Sequence, residues 1–123
     1  MKHIIEAESF RLCFEFESEL NMTVNVNNDG FSAKGDIEID IREFADFAEK
    51  LLNVYNTLSG TATLKENYGY QKYISFSADK NGYITVKGFL CDDMKNNEFY
   101  FTKSFDQTYL KEFSQELFST YSR

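Results

Sequence analysis

The sequence predicts an α+β fold, an antiparallel sheet carrying two helices on one face. Three observations point to it. Over most of the chain apolar and polar residues alternate, the pattern of strands that bury a single face. Twice the alternation gives way to helical spacing, first after Asp40 and again after Asp106. Clusters of Asn, Asp and Gly separate the alternating runs, and these residues tolerate the positive φ that hairpin turns demand.

In the first run Phe10, Leu12, Phe14 and Phe16 oppose Arg11, Glu15 and Glu17. Leu20, Met22, Val24 and Val26 then alternate with Asn21, Thr23 and Asn25, and Phe31, Ala33, Ile37 and Ile39 with Ser32, Lys34, Asp36 and Glu38. Glu17-Ser18-Glu19 and Asn27-Asn28-Asp29-Gly30 connect them as hairpin turns. Asp40 is placed to cap a helix whose apolar face is Ile41, Phe44, Phe47, Ala48, Leu51 and Tyr55, and Gly60 is its stop signal. Strands resume at Thr61–Lys65 and Gln71–Ala78, turn at Asp79-Lys80-Asn81-Gly82, and continue through Ile84, Val86 and Leu90. After the polar turn Asp92 to Asn97 a last strand holds Phe99, Phe101 and Phe105. Asp106 then opens a closing helix with Leu110, Phe113, Leu117 and Tyr121 on one side.

Asp40, Phe47, Leu51 and Tyr55 recur as Asp106, Phe113, Leu117 and Tyr121 at a constant offset of 66 residues. One domain is expected over residues 1–123, built as a tandem pseudo-repeat βββα-ββββα with halves near 10–58 and 59–123. The shared helical period is the competing explanation of the match.

The 123 residues are 42% hydrophobic and include 13 Phe and 8 Tyr, with no Pro. That supplies one core without disulfides or metals. No apolar run reaches the length needed to cross a bilayer, and Glu6 and Glu8 interrupt any signal peptide. A cytoplasmic, unprocessed protein is the expectation. The formal net charge is −7, which repels phosphate backbones and suits a basic partner while also serving solubility. The two cysteines, Cys13 and Cys91, lack metal-type spacing and are expected as free thiols.

No residue pattern announces catalysis, a metal or a cofactor. His3, the one histidine, is expected as a solvated bystander at a frayed end. Without a second histidine a His relay or His-based metal site lacks its parts. Asp36 and Glu38 fall on the solvent side of a strand, where paired carboxylates can meet a basic partner or simply form a hydrated face. Parity places Tyr73, Tyr83, Phe89 and Tyr100 on the sheet face opposite Ile74, Ile84 and Phe99. These rings either form an exposed patch suited to an interface or cover one another across strands and beneath the 65–72 loop. The expectation is a binding domain, with a small-molecule or glycan site on Tyr73, Tyr83 and Tyr100 as the alternative to a protein partner. Oligomeric state is left open.

Three segments carry a family resemblance: GFSAKGDIEIDIREFADFAEKLLNVYNTLSGTATL, YISFSADKNGYITVKGFL and FDQTYLKEF. From Gly30 through Leu117 the chain resembles the WapI-type immunity proteins of bacterial contact-dependent toxin systems. The resemblance implies a non-enzymatic protein that neutralises a cognate toxin, a nuclease being the candidate, and it carries over no catalytic motif.

Asp40 and Asp106 each stand where a strand gives way to a helix, so each carboxylate is expected to accept a bond from an otherwise unpaired backbone N–H. Asp40→Ala and Asp106→Ala are therefore expected to lower the urea midpoint while leaving partner affinity per folded molecule unchanged. Unaltered stability with lost binding in Asp106→Ala would remove the capping role.

Overall fold

A computed structural model describes residues 1–122. Strands β1 (Lys2–Ala7), β2 (Phe10–Ser18), β3 (Asn21–Asn28) and β4 (Phe31–Glu38) precede helix α1 (Ile41–Thr57). Strands β5 (Thr61–Lys65), β6 (Tyr73–Ala78), β7 (Tyr83–Cys91) and β8 (Glu98–Asp106) follow, then a 3-10 turn (Gln107–Tyr109) and helix α2 (Lys111–Tyr121). The α+β class and the twice-repeated order of strands then helix hold. Each half closes its own antiparallel meander, β1-β2-β3-β4 and β5-β6-β7-β8. The first meander gains β1, which lies ahead of the alternation that begins at Phe10.

β1 buries alternate residues, His3, Ile5 and Ala7. A histidine in the inward row conceals the strand, because the side chain reads as polar. The frayed, solvated His3 expected from the sequence is corrected: its ring is fully buried. Nδ1 lies 2.7 Å from Glu116 Oε1 and Nε2 lies 2.6 Å from the Tyr121 hydroxyl, so both ring nitrogens are satisfied and β1 is tied to α2. Burial, with the nearby Glu116 carboxylate second, pushes the Tyr121 phenol up from its usual value.

Local chemistry fixes the turns. Asn28 pairs with Phe31 across a two-residue loop. Asp29 and Gly30 both take positive φ, 52° and 90°, as this tightest hairpin requires. Between β2 and β3 the turn sits at Glu19-Leu20, one step later than the sequence suggests, because the register shifts between Phe16 and Ser18. Leu20 is consequently exposed rather than inward.

The Asp40 carboxylate accepts from the Arg42 backbone N–H at 2.8 Å and from its guanidinium at 2.9 Å. The Arg42 side-chain bond first, and the backbone bond second, hold this carboxyl at about 2, below its ordinary 3.8. A folded-state value below the unfolded one adds stability that is complete above about pH 4 and is lost as pH falls through 3.8 toward 2. α1 ends at Leu58, which takes the left-handed conformation at φ 52° and donates to Val54 O; Gly60 lies just beyond. Asp106 accepts from Thr108 N at 2.9 Å, but the segment it caps is the 3-10 turn. α2 itself starts at Leu110 without a side-chain cap, so the expected direct cap on α2 is corrected to one on the turn that feeds it.

One core serves both sheets. Phe47 of α1 packs edge-on to Phe14 of β2 (6.4 Å between centroids) and beside Phe76 of β6 (6.1 Å). Phe113 of α2 lies 5.9 Å from the same Phe14 and 6.3 Å from the same Phe76. Each helix thus bridges the two meanders. The sheets also touch directly. At Gly35 an added Cβ would meet Leu90 at 3.5 Å, ordinary contact, whereas at Gly88 it would lie 2.3 Å from the Phe101 ring and 2.8 Å from Ile74. Gly88→Ala is expected to cost about 1–3 kcal/mol through overpacking, with Gly35→Ala much closer to neutral. Urea unfolding of the two variants checks the contrast.

Candidate partner-binding site

The outer face of the second sheet is ordered in rows by strand register. Tyr73 lies opposite Phe89, and Phe89 opposite Tyr100, with Lys65 beside Tyr73. Further along, hydroxyls pair across strands: Thr63 with Ser75 at 3.2 Å, Thr61 with Ser77 at 3.0 Å, and Thr85 with Ser104 at 2.8 Å. These short side chains satisfy one another and leave the middle of the face low and polar. The aromatic row stands at one end of it.

Within that row Phe89 and Tyr100 stack at 4.7 Å. Phe89 is only 6% exposed, in line with the cross-strand covering that is one of the two sequence readings: Tyr100 covers one side, and Lys95 sits 5.9 Å from the ring centroid. Tyr100 remains 66% exposed. Tyr73 is half-buried. Tyr83 does not join them. It pairs with Asp106 at the far end of β7, six residues or about 20 Å from Phe89 at strand rise.

Three exposed residues outside the predicted set lie in the loop and turn at this end of the sheet. Tyr68 and Tyr70 project from the loop between β5 and β6, and Met94 from the turn between β7 and β8; Tyr68 and Met94 are 79% and 75% exposed. Lys95 Nζ lies 5.5 Å from the Tyr70 ring, a cation–π contact that joins loop and turn. The sequence signal for this group was available in Tyr68-Gly69-Tyr70, two aromatics around a glycine in a polar loop. The loop's fit to the sheet was not.

That loop is held in place by a buried carboxylate. Glu66 Oε2 accepts from the Glu38 backbone N–H at 2.9 Å, and Oε1 accepts from Lys72 N at 3.2 Å. The Lys72 ammonium lies 3.6 Å from Oε2, with both side chains nearly buried. Asn67 Nδ2 donates to Glu43 of α1 at 3.0 Å. Glu66 therefore links β4 of the first sheet to the segment that leads through Lys72 into Tyr73. This brings the acidic edge of β4 alongside the aromatic end of the second sheet. On that edge Asp36 and Glu38 are both exposed. Thr23 Oγ1 has Glu17 Oε1 at 2.9 Å and Asp36 Oδ1 at 3.2 Å, and its single hydrogen serves them in alternation.

The remaining reactive groups are covered. Cys13 and Cys91 are buried free thiols, and burial pushes the Cys91 thiol up from its usual value, away from the reactive thiolate. Among the described residues no group of three or more His, Cys, Asp or Glu gathers as metal ligands, and no helix is long and apolar enough to cross a membrane. A groove of about 1000 Å³ runs between α1 and α2, lined by residues such as Ile41, Ala45, Phe118 and Tyr121. A smaller one of about 360 Å³ lies between β1 and the start of α2. Neither is lined by Tyr73, Tyr83 or Tyr100.

Fold and surface together define an α+β domain with exposed tyrosines at one end of its second sheet and exposed carboxylates on the neighbouring β4 edge. Comparison with known proteins places it more closely. The chain belongs to the Immunity protein WapI-like family, whose model matches residues 5–123. The match covers the resembling stretch Gly30–Leu117 and reaches back through β1–β3. Membership supports an immunity-protein role. No curated protein matches the sequence significantly. Among solved structures, a chain from the crystal structures of Trypanosoma brucei MRP1/MRP2 shares the fold at a TM-score of 0.57 and 11% identity, covering 97% of this chain and 81% of that one.

Removing Glu66 strands the buried Lys72 ammonium and leaves the Glu38 N–H without its acceptor. Glu66→Ala is expected to cost about 3 kcal/mol. Pairing it with Lys72→Met recovers only part of the loss, because the Glu38 N–H stays unpaired. Chemical denaturation of the single and double variants measures both.

Proposed function

We propose that this protein neutralises a cognate toxin by non-enzymatic binding, through the surface formed by Tyr68, Tyr70, Tyr73, Met94 and Tyr100 together with Asp36 and Glu38. The observation that carries this reading is the exposed aromatic group beside an acidic strand edge in a member of an immunity family. Tyrosines held on a sheet and on a pinned loop bury large area at low entropic cost. The carboxylates complement a basic partner and raise its encounter rate. A chain of net charge −7 suits a toxin that is itself basic. A nuclease is such a toxin, because its site must attract phosphates, and Asp36 and Glu38 then take the place of those anions. The setting that fits is the bacterial cytoplasm, where a nuclease meets its substrate.

The test begins with the toxin encoded immediately upstream, purified and titrated calorimetrically with this protein. Tyr100→Ala and Tyr70→Ala are each expected to weaken binding about 30-fold, the range of an interface hot spot. Asp36→Lys with Glu38→Lys is expected mainly to slow association and to flatten its salt dependence. Failure of the unmodified protein to protect cells from that toxin would sink the proposal. Wild-type affinity in all these variants would move the binding surface elsewhere.

A further inference from the structure

The two meanders leave four strand edges, and the chain treats them differently. On β4, Gly35 packs on Leu90 and the Glu38 N–H is taken by Glu66. On β8, the Thr102 carbonyl accepts from Asn28 Nδ2 at 3.1 Å. β5 is short and lies against α1. β1 also lies against α2 and the 3-10 turn, but its backbone edge is of a different kind. It pairs with β2 in unbroken register from Lys2 to Ala7, with no bulge and no proline to deter a further strand. Alongside it runs the groove of about 360 Å³, bounded by Ile4, Ile5 and Glu6 on one side and by Tyr109, Lys111 and Glu112 on the other. The outward residues Lys2, Ile4 and Glu6 are all exposed. Lys2 has no ion-pair partner among the described residues, and Glu6 reaches only Arg11, at 3.6 Å.

The order of these three residues selects the occupant. In an antiparallel pair, residues directly opposite share a face of the sheet. Two copies of one strand related by a two-fold axis must therefore match outward residues to outward residues. With the axis through Ile4, Lys2 of each copy faces Glu6 of the other, and Ile4 faces Ile4. Moving the axis to Ile5 sets Ile4 against Glu6 and puts Lys2 opposite Glu8, which lies beyond the strand in a turn of positive φ. The same operation on β8, centred on Thr102, sets Glu98 against Asp106, like charge against like. Charged residues on an edge ordinarily discourage pairing; on β1 their sequence makes a second copy the complementary neighbour. We propose that β1 is a self-pairing edge through which two copies of this chain join their first sheets into one continuous eight-stranded sheet, with the two-fold axis at Ile4. This assignment is independent of the toxin-binding reading, which uses other strands.

Sedimentation equilibrium of the untagged chain tests it by charge exchange. The unmodified protein is expected to dimerise. Lys2→Glu alone sets glutamate against glutamate at both ends of the contact, and Glu6→Lys alone sets lysine against lysine. Each is expected to weaken self-association about tenfold or more. Mixed together the two variants restore both opposite-charge pairs, so an equimolar mixture is expected to regain dimers close to wild-type strength. Circular dichroism confirms that each variant is folded. A monomeric wild-type protein overturns the proposal, as do single variants that dimerise like the wild type or a mixture that remains monomeric. A wild-type monomer whose toxin binding is lost on Ile4→Pro would give the edge to a partner strand instead, and would equally overturn self-pairing.

Discussion

Everything in this fold rests on four phenylalanine rings that come from four different elements. Phe14 and Phe76 are each on the second strand of their sheet, and Phe47 and Phe113 are on the two helices. Both helix rings touch both strand rings. Neither meander has a helix of its own in the energetic sense. α1 lies against β5 and β6 of the second sheet and reaches Phe14 and Phe16 of the first, while α2 lies against β1 of the first and reaches Phe76 of the second. Burying large aromatic rings is the dominant favourable term for a core of this size, and here it cannot be divided between halves. The matching positions Leu51 and Leu117, both fully buried, extend the shared core along each helix.

With the layers fixed in this way, the polar ties between sheets decide what the surface presents. Glu66 joins β4 to the loop that carries Tyr68 and Tyr70. Lys103 of β8 approaches Asp29 at 3.5 Å and Glu8 at 3.9 Å, bridging to the turns of the first sheet. The Ser9 hydrogen bond first, and the Lys103 charge second, hold the Asp29 carboxyl below its usual range. These ties sit on opposite sides of the sheet junction. Between them they hold the acidic β4 edge and the aromatic end of the second sheet in a fixed relation.

Much of this was legible from residue pattern. The alternation from Phe10 onward located β2 to β8, and the Asn-Asp-Gly turns set their order. Asp40 was recognisable as a cap because a side-chain acceptor ahead of an amphipathic run has few other roles. What escaped was whatever depended on contacts between distant segments. β1 was hidden because its inward row includes His3, and a buried histidine is intelligible only once Glu116 and Tyr121 are seen to satisfy it. Parity placed Phe89 and Tyr83 on the outer face correctly. It could not decide between open rings and cross-strand covering, so the stacking of Tyr100 on Phe89 and the place of Tyr83 at the other end of the strand came only from the register. Tyr68 and Tyr70 were visible as residues, yet the placement of their loop depends on Glu66 turning inward, and a glutamate in a polar loop gives no sign of burial.

The tie between His3 and Tyr121 joins the first strand to the last helix. On a ribosome, the first meander and α1 emerge well before Phe76 and Phe113 exist to cover Phe14 and Phe47. The early half can hold its hairpins by local turns and set Phe44 and Phe47 of α1 against Phe14, but that cover is partial until Phe76 and Phe113 follow. Folding is therefore a property of the finished chain rather than of successive halves. During synthesis the nascent protein carries a partly covered apolar sheet of the kind that chaperones hold.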